Sequence, residues 1–408
     1  MEHAGYLILG NGGAACHGAK ALRESGYAGP LMMISDVDEA AFNPMLGPYY
    51  LKGVAQWQVC YPFGKKFYER YDIKTRFSFG VKALDAINRM VTLESNEQVS
   101  YCKCLVATGA RAVVPLVKGL RETSKALPLR TSADTLRMAE ALQTASKVVV
   151  LGASLIGVKL AEILRKLGAE VWLLDIAPQV MPTGAHPVSA QYLQDYFEQH
   201  GIHLLLGCGI DEVIATGDKV SCVTADTVLN GADFVAVCTG IRSNIGFIDK
   251  SQVETGLGII IDNNSETSVK GLYAAGDCAQ GCNLFTCCND WLGTWQNACY
   301  QGRAAGAAMA GKYLDYACPL PQHVSPFFDW TYVQMGDVYR QGDNVRITMQ
   351  GNPFEGGFSL LVYENDILVG ANLFNDMAKL GLIKKAISTK SSYDPDAAIL
   401  DFTPVSGF

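Results

Sequence analysis

The sequence predicts an α/β chain with two β–α–β units, the second inserted in the first, followed by a small α+β C-terminal domain. Three observations predict it. Two glycine-rich turns lie 142 residues apart, each directly after an apolar run. Each is followed by an aspartate at the end of a second apolar run, 26 and 23 residues past its first glycine. The pattern of the first unit then resumes beyond residue 244, on the far side of the second.

The first turn is Gly10-Asn11-Gly12-Gly13-Ala14-Ala15, after Tyr6-Leu7-Ile8-Leu9; its acid is Asp36, after Leu31-Met32-Met33-Ile34. The second is Gly152-Ala153-Ser154-Leu155-Ile156-Gly157, after Val148-Val149-Val150-Leu151; its acid is Asp175, after Val171-Trp172-Leu173-Leu174. In such a turn the first Gly permits the tight bend and the second lets backbone approach a pyrophosphate. The following helix offers unpaired N–H groups and roughly half a positive charge. The acid accepts from ribose hydroxyls, about 20 residues on. Neither turn is ideal: Ala15 takes the third glycine position of the first, and Ser154 the middle position of the second. The plainer reading is two βα turns without ligands. The strand–turn–helix–strand–acid context, present twice, favours two Rossmann-like domains that bind two dinucleotides, between which electrons pass.

Bulk properties narrow the field. At 408 residues the chain should hold two or three domains. A net charge of −7 without a Lys/Arg block argues against a nucleic-acid partner. The opening Met1-Glu2-His3-Ala4-Gly5 predicts no signal peptide, and no apolar run is long enough for a membrane span. Thirteen scattered Cys, several inside apolar strands (Cys104, Cys222, Cys238), suit a reducing cytoplasm better than a disulfide framework. Charged content of 18% is low and leaves room for a buried interface with another subunit.

Residues 1–119 and 245–325 read as one split domain, 120–244 as the inserted one, and 326–408 as the C-terminal domain. Residues 73–93 alternate like strands of an inserted sheet. Tyr101 to Gly109 is a strand closing on Thr108-Gly109. Thr131 to Gln143 is helical, and Pro187 opens a helix through His200. Gly217-Asp218 is a hairpin turn between Val213–Thr216 and Val220–Thr224. Asp233 to Gly240 is a buried strand ending in Gly. Gly258–Asp262 and Gly271–Asp277 are strands, the latter running into Gly276-Asp277, and Asn297 to Gly311 is a helix rich in small residues. Three or four strands, over 331–335, 345–349, 357–363 and 367–373, then precede a helix over Asp376–Ile387, and the last twenty residues form an extended tail. The aromatic stripe Tyr49, Tyr50, Tyr61, Phe63, Phe67 and Tyr68 reads as core or domain-interface packing, with a substrate-facing wall as the alternative.

Taken together, Tyr6 to Ala15, Thr108-Gly109-Ala110 with Pro115, Leu129-Arg130-Thr131, Gly152 to Glu162, Thr239-Gly240-Ile241-Arg242 with Asn244, and above all Leu272-Tyr273-Ala274-Ala275-Gly276-Asp277 resemble the two-dinucleotide flavoprotein reductases. That family includes NADH-dependent ferredoxin and rubredoxin reductases and the flavin modules of nitrite reductases. The resemblance spans about residues 1–311. It implies that the first unit holds FAD, that Asp277 contacts the ribityl and phosphate region, and that the second unit holds NAD(P)H. It also implies that Trp295, Asn297, Gln301 and Gly302 lie beside the flavin ring.

Two departures stand out. The family's Tyr-x-Arg-x-x-Leu-Ser-Lys stretch is here Phe42-Asn43-Pro44-Met45-Leu46-Gly47-Pro48-Tyr49, so an Arg and a Lys near the flavin are gone. An acid common two residues after the second unit's last Gly is here Lys159. A narrower resemblance, through Gly293 to Ala298 and the short C-terminal domain, is to flavin subunits of iron–sulfur complexes such as the NAD-linked FAD subunit of 2-oxoacid oxidoreductases, phenylglyoxylate dehydrogenase among them.

The expected chemistry is hydride transfer between nicotinamide and flavin, followed by single-electron exchange with an iron–sulfur partner, in a hetero-oligomer. It needs no nucleophile or base from the protein, only two rings held together away from water. NAD is favoured over NADP, because Asp175 repels a 2′-phosphate and Ile176-Ala177-Pro178 offers no Arg to hold one. Other roles stay open. Cys278, Cys282, Cys287 and Cys288 are buried thiols, a Cys282/Cys287 redox pair as in thiol–disulfide reductases, or cluster ligands; Cys60 stands alone where disulfide reductases carry their pair. A non-catalytic flavin relay is a third reading. No His spacing suits a metal, so none is expected.

Overall fold

Apolar runs bounded by Gly and Asp become the central strands of a mixed α/β fold. The computed structural model describes residues 2–283, 288–314 and 320–394. The chain divides into two units, residues 1–151 with 210–319, and residues 152–209 with 320–408.

In the first unit five parallel strands form one sheet, in the order Leu272–Ala274, Lys103–Val106, Tyr6–Leu9, Leu31–Ile34, Lys74–Arg76. The strand side chains alternate between two cores. Leu7, Leu9, Met32, Ile34, Cys104 and Val106 pack on one face. Ile8, Leu31, Met33, Leu105 and Tyr273 pack on the other. Burial of both faces explains why the three inner strands are apolar after their first residue.

The second of these faces is covered by the helices Gly13–Glu24 and Trp295–Met309. They cross at near backbone contact: a Cβ on Gly302 would sit 2.2 Å from the carbonyl oxygen of Ala14. That crossing is why the second helix reads as small-residue-rich. The opposite face is covered by a four-stranded sheet, Glu2–His3, Gln98–Ser100, Met90–Leu93 and Val81–Asp85, through Val91, Leu93 and Val99. The alternation over 73–93 thus divides: Lys74–Arg76 joins the parallel sheet, and only the later strands form the covering one.

Elsewhere in this unit Ala126–Pro128 and Lys147–Leu151 flank Phe234–Val237 in parallel. The helix Ser132–Leu142 starts on a capping box, in which Thr131 and Asp134 satisfy each other's backbone N–H. The expected hairpin pairs Glu212–Thr216 with Lys219–Val223.

In the second unit Glu170–Asp175 runs parallel to Ile202–Leu206. The C-terminal sheet is antiparallel, in the order Gln322–Phe327, Trp330–Gly336, Ile367–Phe374, Phe358–Glu364, Val345–Gly351. The helix Pro187–Gln199 packs within this unit by stacking Tyr196 on Trp330, ring centroids 3.8 Å apart. Tyr332 donates to the carbonyl of Gly184 at 2.7 Å. Sequence analysis did not foresee the first strand, because Pro326 marks a break there. It lies on the sheet edge, where a missing N–H does no harm. The last helix is Leu380–Ser388, starting later than expected. Of the twenty-residue tail expected at the end, only residues 389–394 are among the described ones.

Candidate functional site

The first candidate site forms where Tyr6–Leu9 ends. Gly10 adopts φ +107°, and a Cβ there would lie 2.2 Å from the carbonyl oxygen of Ala107. Its N–H donates to Ile34 at 2.7 Å, which closes the bend. Gly12 is the N-cap of Gly13–Glu24, with no capping side chain and no acid in the first turn. The first N–H groups of that helix are therefore left for an anion. A Cβ on Gly12 would meet no protein atom within 4 Å, so packing does not require glycine there. A ligand lying against the backbone does, and in this respect the turn fits a pyrophosphate. Ala15 is buried under the turn, and Asp36 is exposed past the next strand, with no hydrogen bond or ion pair among the described residues.

Several segments converge beside this turn in the same unit. The Thr108 hydroxyl donates to the carbonyl of Asn244 at 2.7 Å, and the Asn244 amide donates back to Thr108 at 3.1 Å. Gly109 accepts from the Asn244 N–H at 2.9 Å, and Gly240 accepts from Val113 at 3.0 Å. The N–H of Gly276 donates to the buried amide oxygen of Gln301 at 2.8 Å. Asp277 is 8% exposed. Its carboxylate is ion-paired with Arg130, and its carbonyl accepts from Ser243 at 2.8 Å and from the Trp291 indole at 2.9 Å. The Trp295 ring lies over Gly13, about 3 Å from where a Cβ would be. The N–H of Asn297 donates to the hydroxyl of the N-cap Thr294 at 3.2 Å, and its side-chain amide donates to the carbonyl of Leu292 at 2.9 Å.

Sequence reasoning missed a polar network under the same turn. Asn11 donates to the carbonyl of Glu39 at 2.7 Å and accepts from the Tyr68 hydroxyl at 2.7 Å. The Glu39 carboxylate accepts from Ser132 at 2.6 Å and from Tyr61 at 2.9 Å. Burial and this contact with Glu39 push the Tyr61 hydroxyl up to about 12. These partners lie 22 to 93 residues apart, so no local motif announces them. The network fixes the segment from Glu39 to Tyr61, where Phe42, Tyr50, Trp57 and Tyr61 form a cluster of edge-on and tilted rings. Of the aromatic stripe, Tyr50 and Tyr61 belong to this cluster, and Phe63, Phe67 and Tyr68 pack edge-on in a row.

The second candidate site repeats the build in the other unit. Gly152 also adopts φ +107°, and its N–H donates to Leu174 at 2.7 Å. Ser154 is the N-cap of Leu155–Lys166, again without a side-chain cap or an acid in the first turn. Ile156 is half-buried and Gly157 buried within that turn. Asp175 does more than project outward. Its carboxylate accepts the N–H groups of Ala153 at 2.6 Å and Ala177 at 2.8 Å, tying the turn to the end of the next strand. Each oxygen keeps a further lone pair for a hydroxyl donor. Ile176 beside it is 80% exposed. Glu162 is buried, accepts from the N–H of Phe328 at 3.0 Å and pairs with Lys166, a structural role.

The cysteines divide in the same way. Cys278 is fully buried, and its thiol lies 3.3 Å from the carbonyls of Val106 and Ala275. Cys60 is buried too, which raises its thiol. Cys282 is half-buried; its suggested partner Cys287 lies outside the described residues. Among the described residues no group of three His, Cys, Asp or Glu could hold a metal, and no helix is long and apolar enough to cross a membrane.

A family profile described as pyridine nucleotide-disulphide oxidoreductase matches residues 5–302. The chain belongs to this family. It is an NAD(H)-dependent oxidoreductase and a flavoprotein, with FAD and NAD as its cofactors. The NADH-dependent phenylglyoxylate dehydrogenase subunit epsilon of Aromatoleum evansii is 30% identical over 340 residues, 82% of this chain and 80% of that one. A ferredoxin reductase from Rhodopseudomonas palustris superposes with a TM-score of 0.87 at 27% identity, over 97% of both chains. A water-forming NADH oxidase from Lactobacillus brevis, bound to NADH, shares the fold with a TM-score of 0.90 at 21% identity, over 98% of this chain and 94% of that one.

Proposed function

We propose that this chain is the NAD-linked FAD subunit of an electron-transfer assembly, working between NAD(H) and an iron–sulfur partner, as in 2-oxoacid oxidoreductases of the phenylglyoxylate dehydrogenase type. Residues 1–119 with 245–325 form the FAD domain in this reading, 120–244 the inserted NAD domain, and 326–408 the domain that meets other subunits. Bound there, the two cofactors supply hydride exchange between nicotinamide and flavin, and single-electron exchange with the partner.

The protein's own part is holding and orienting. Gly10, Gly12, Gly13 and Ala15 cradle the FAD pyrophosphate against the helix N-terminus, and Asp36 takes its ribose. Thr108, Gly109, Gly240, Gly276, Asp277 and Trp295 line the rest of that cofactor. Gly152, Ser154, Ile156 and Gly157 do the same for NAD, with Asp175 on the ribose hydroxyls. The observation that carries this reading is the duplicated turn: the same +107° glycine and the same uncapped, acid-free helix start, twice in one chain.

The partner reading rests on the 30% identical relative, which is itself named as a subunit, and on the ferredoxin reductase. Ten of the cysteines are free thiols, which suits the reducing cytoplasm. Affinity isolation of the tagged chain from its own cells tests the assembly. The expected result is co-isolation of a subunit that contains iron and acid-labile sulfide. Recovery of the flavoprotein alone, under conditions gentle enough to keep other complexes whole, contradicts it.

A further inference from the structure

We propose that Cys102 is a reactive surface thiol, served by His3 and Ser100, that takes up small disulfides by thiol–disulfide exchange.

The three side chains come from two segments 97 to 99 residues apart. Glu2–His3 runs parallel to Gln98–Ser100, with His3 opposite Ser100 in the register. The N–H of Ala4 donates to Ser100 at 2.9 Å, and that of Cys102 to Gly5 at 2.7 Å. Extended backbone alternates its side chains between two faces. Ala4 and Tyr101 accordingly turn inward, 2% and 4% exposed, while His3 and Cys102 stay outside.

The hydrogen bonds orient the imidazole. The Ser100 hydroxyl has one proton, which it donates to the carbonyl of Glu2 at 3.3 Å. It therefore accepts from His3 Nδ1, at 3.0 Å. A neutral imidazole has a single N–H, so Nε2 carries the lone pair. That nitrogen faces the Cys102 sulfur at 3.5 Å and accepts from its thiol. A nucleophile, a base within its reach and a third group that orients the base make up the pattern of an activated nucleophile. Of ten described thiols, Cys102 alone is exposed. Cys104, two residues on, is fully buried, and burial pushes its thiol up.

Thiol–disulfide exchange asks for little else than access, an acceptor for the attacking thiol's proton and a donor for the departing sulfur. The Cys102 thiol gives its proton to His3 Nε2 as its sulfur attacks one sulfur of the incoming disulfide. A new S–S bond forms and the old one breaks. His3 returns the proton to the departing thiolate, which leaves as a thiol. Cys102 is oxidised and the departing sulfur reduced, with the small disulfide as the oxidant. The flavin takes no part. At about 3.3 Å per residue, the strand Lys103–Val106 puts roughly 13 Å between Cys102 and the Thr108-Gly109 end of the sheet.

The test uses the full chain loaded with FAD, with glutathione disulfide as the probe at neutral pH. Remaining thiols are alkylated after unfolding. Trypsin then separates Cys102, the one cysteine of residues 90–103, from Cys104, the one cysteine of residues 104–111. A glutathione adduct that a reductant removes should build up on the first peptide and not on the second. His3→Ala should slow that uptake about tenfold or more, with the flavin spectrum as in the parent. Imidazole added to the buffer should restore the rate of His3→Ala and leave that of the parent as it was, a response that exposure alone does not give. Equal uptake on the two peptides overturns the proposal. So does a His3→Ala rate equal to the parent's, or a slowed one that imidazole does not restore.

Discussion

The Asp175 carboxylate accepts the N–H of Ala153 at 2.6 Å, so the acid proposed to hold the NAD ribose also ties down the glycine turn. Its second oxygen holds Ala177 at 2.8 Å. Changing the cofactor preference therefore carries a structural penalty. Asp175→Ser with Ile176→Arg should raise the NADPH to NADH ratio of kcat/KM at least tenfold, by removing the repulsion and adding a phosphate partner. It should also lower stability by about 1–3 kcal/mol, because two backbone N–H groups lose a charge-assisted acceptor. Steady-state kinetics with both nucleotides and a urea titration check the two parts. A switched preference without any loss of stability contradicts the double role.

Gly10 and Gly12 separate folding from binding. Gly10→Ala puts a methyl group into the Ala107 carbonyl at 2.2 Å on a backbone with φ +107°. It should cost at least about 3 kcal/mol. Gly12→Ala meets no protein atom. It should leave the stability of the FAD-free protein within about 1 kcal/mol and weaken FAD binding about tenfold or more. Denaturation of the FAD-free proteins and flavin titration give both values. Equal FAD affinity for Gly12→Ala and the parent would remove the pyrophosphate from this turn.

Much of this architecture is readable in the sequence, for a physical reason. In strands such as Tyr6–Leu9 and Lys147–Leu151 every residue after the first is apolar and buried, so they stand out. The turns after them need glycine for their φ. The C-terminal elements are less legible. Pro326 looks like a boundary but sits inside an edge strand. The last helix starts late because Asn375 takes φ +55° and Asp376 is engaged by Ser359 at 2.7 Å and Lys379 at 3.0 Å. Side-chain partnerships are the least legible. Arg130 and Asp277 are 147 residues apart, and only the fold brings them together.

That pair makes the next prediction. The Arg130 and Asp277 side chains are 20% and 10% exposed. Arg130→Ala leaves the carboxylate without its cation and should destabilise by about 3 kcal/mol. Arg130→Met with Asp277→Leu removes both charges and should recover most of that loss, while FAD affinity stays low. Thermal unfolding and flavin titration of the single and double variants separate packing from binding. Full FAD affinity in the double variant would place the pair outside the cofactor site.

Asp233 should shape the acid limb of stability. Burial pushes its carboxyl up, but the Lys219 ammonium and the N–H groups of Lys147 and Ser146 outweigh this and hold it at about 2, below its usual 3.8. A depressed folded value stabilises above the unfolded one, so the contribution is complete above about pH 4 and fades as the pH falls toward 2. It amounts to at most about 2 kcal/mol. Urea midpoints measured over that range should fall for the parent and be flatter for Asp233→Asn. Parallel curves would contradict the assignment.

In the proposed function one chain carries both a flavin and a pyridine nucleotide in working contact. Anaerobic mixing of the FAD-loaded chain with NADH, followed by visible absorbance in a stopped-flow instrument, tests it most directly. Rapid loss of the oxidised flavin spectrum, with NADPH much slower, is the predicted result. A spectrum that stays unchanged with NADH, in protein shown to hold FAD, would contradict it.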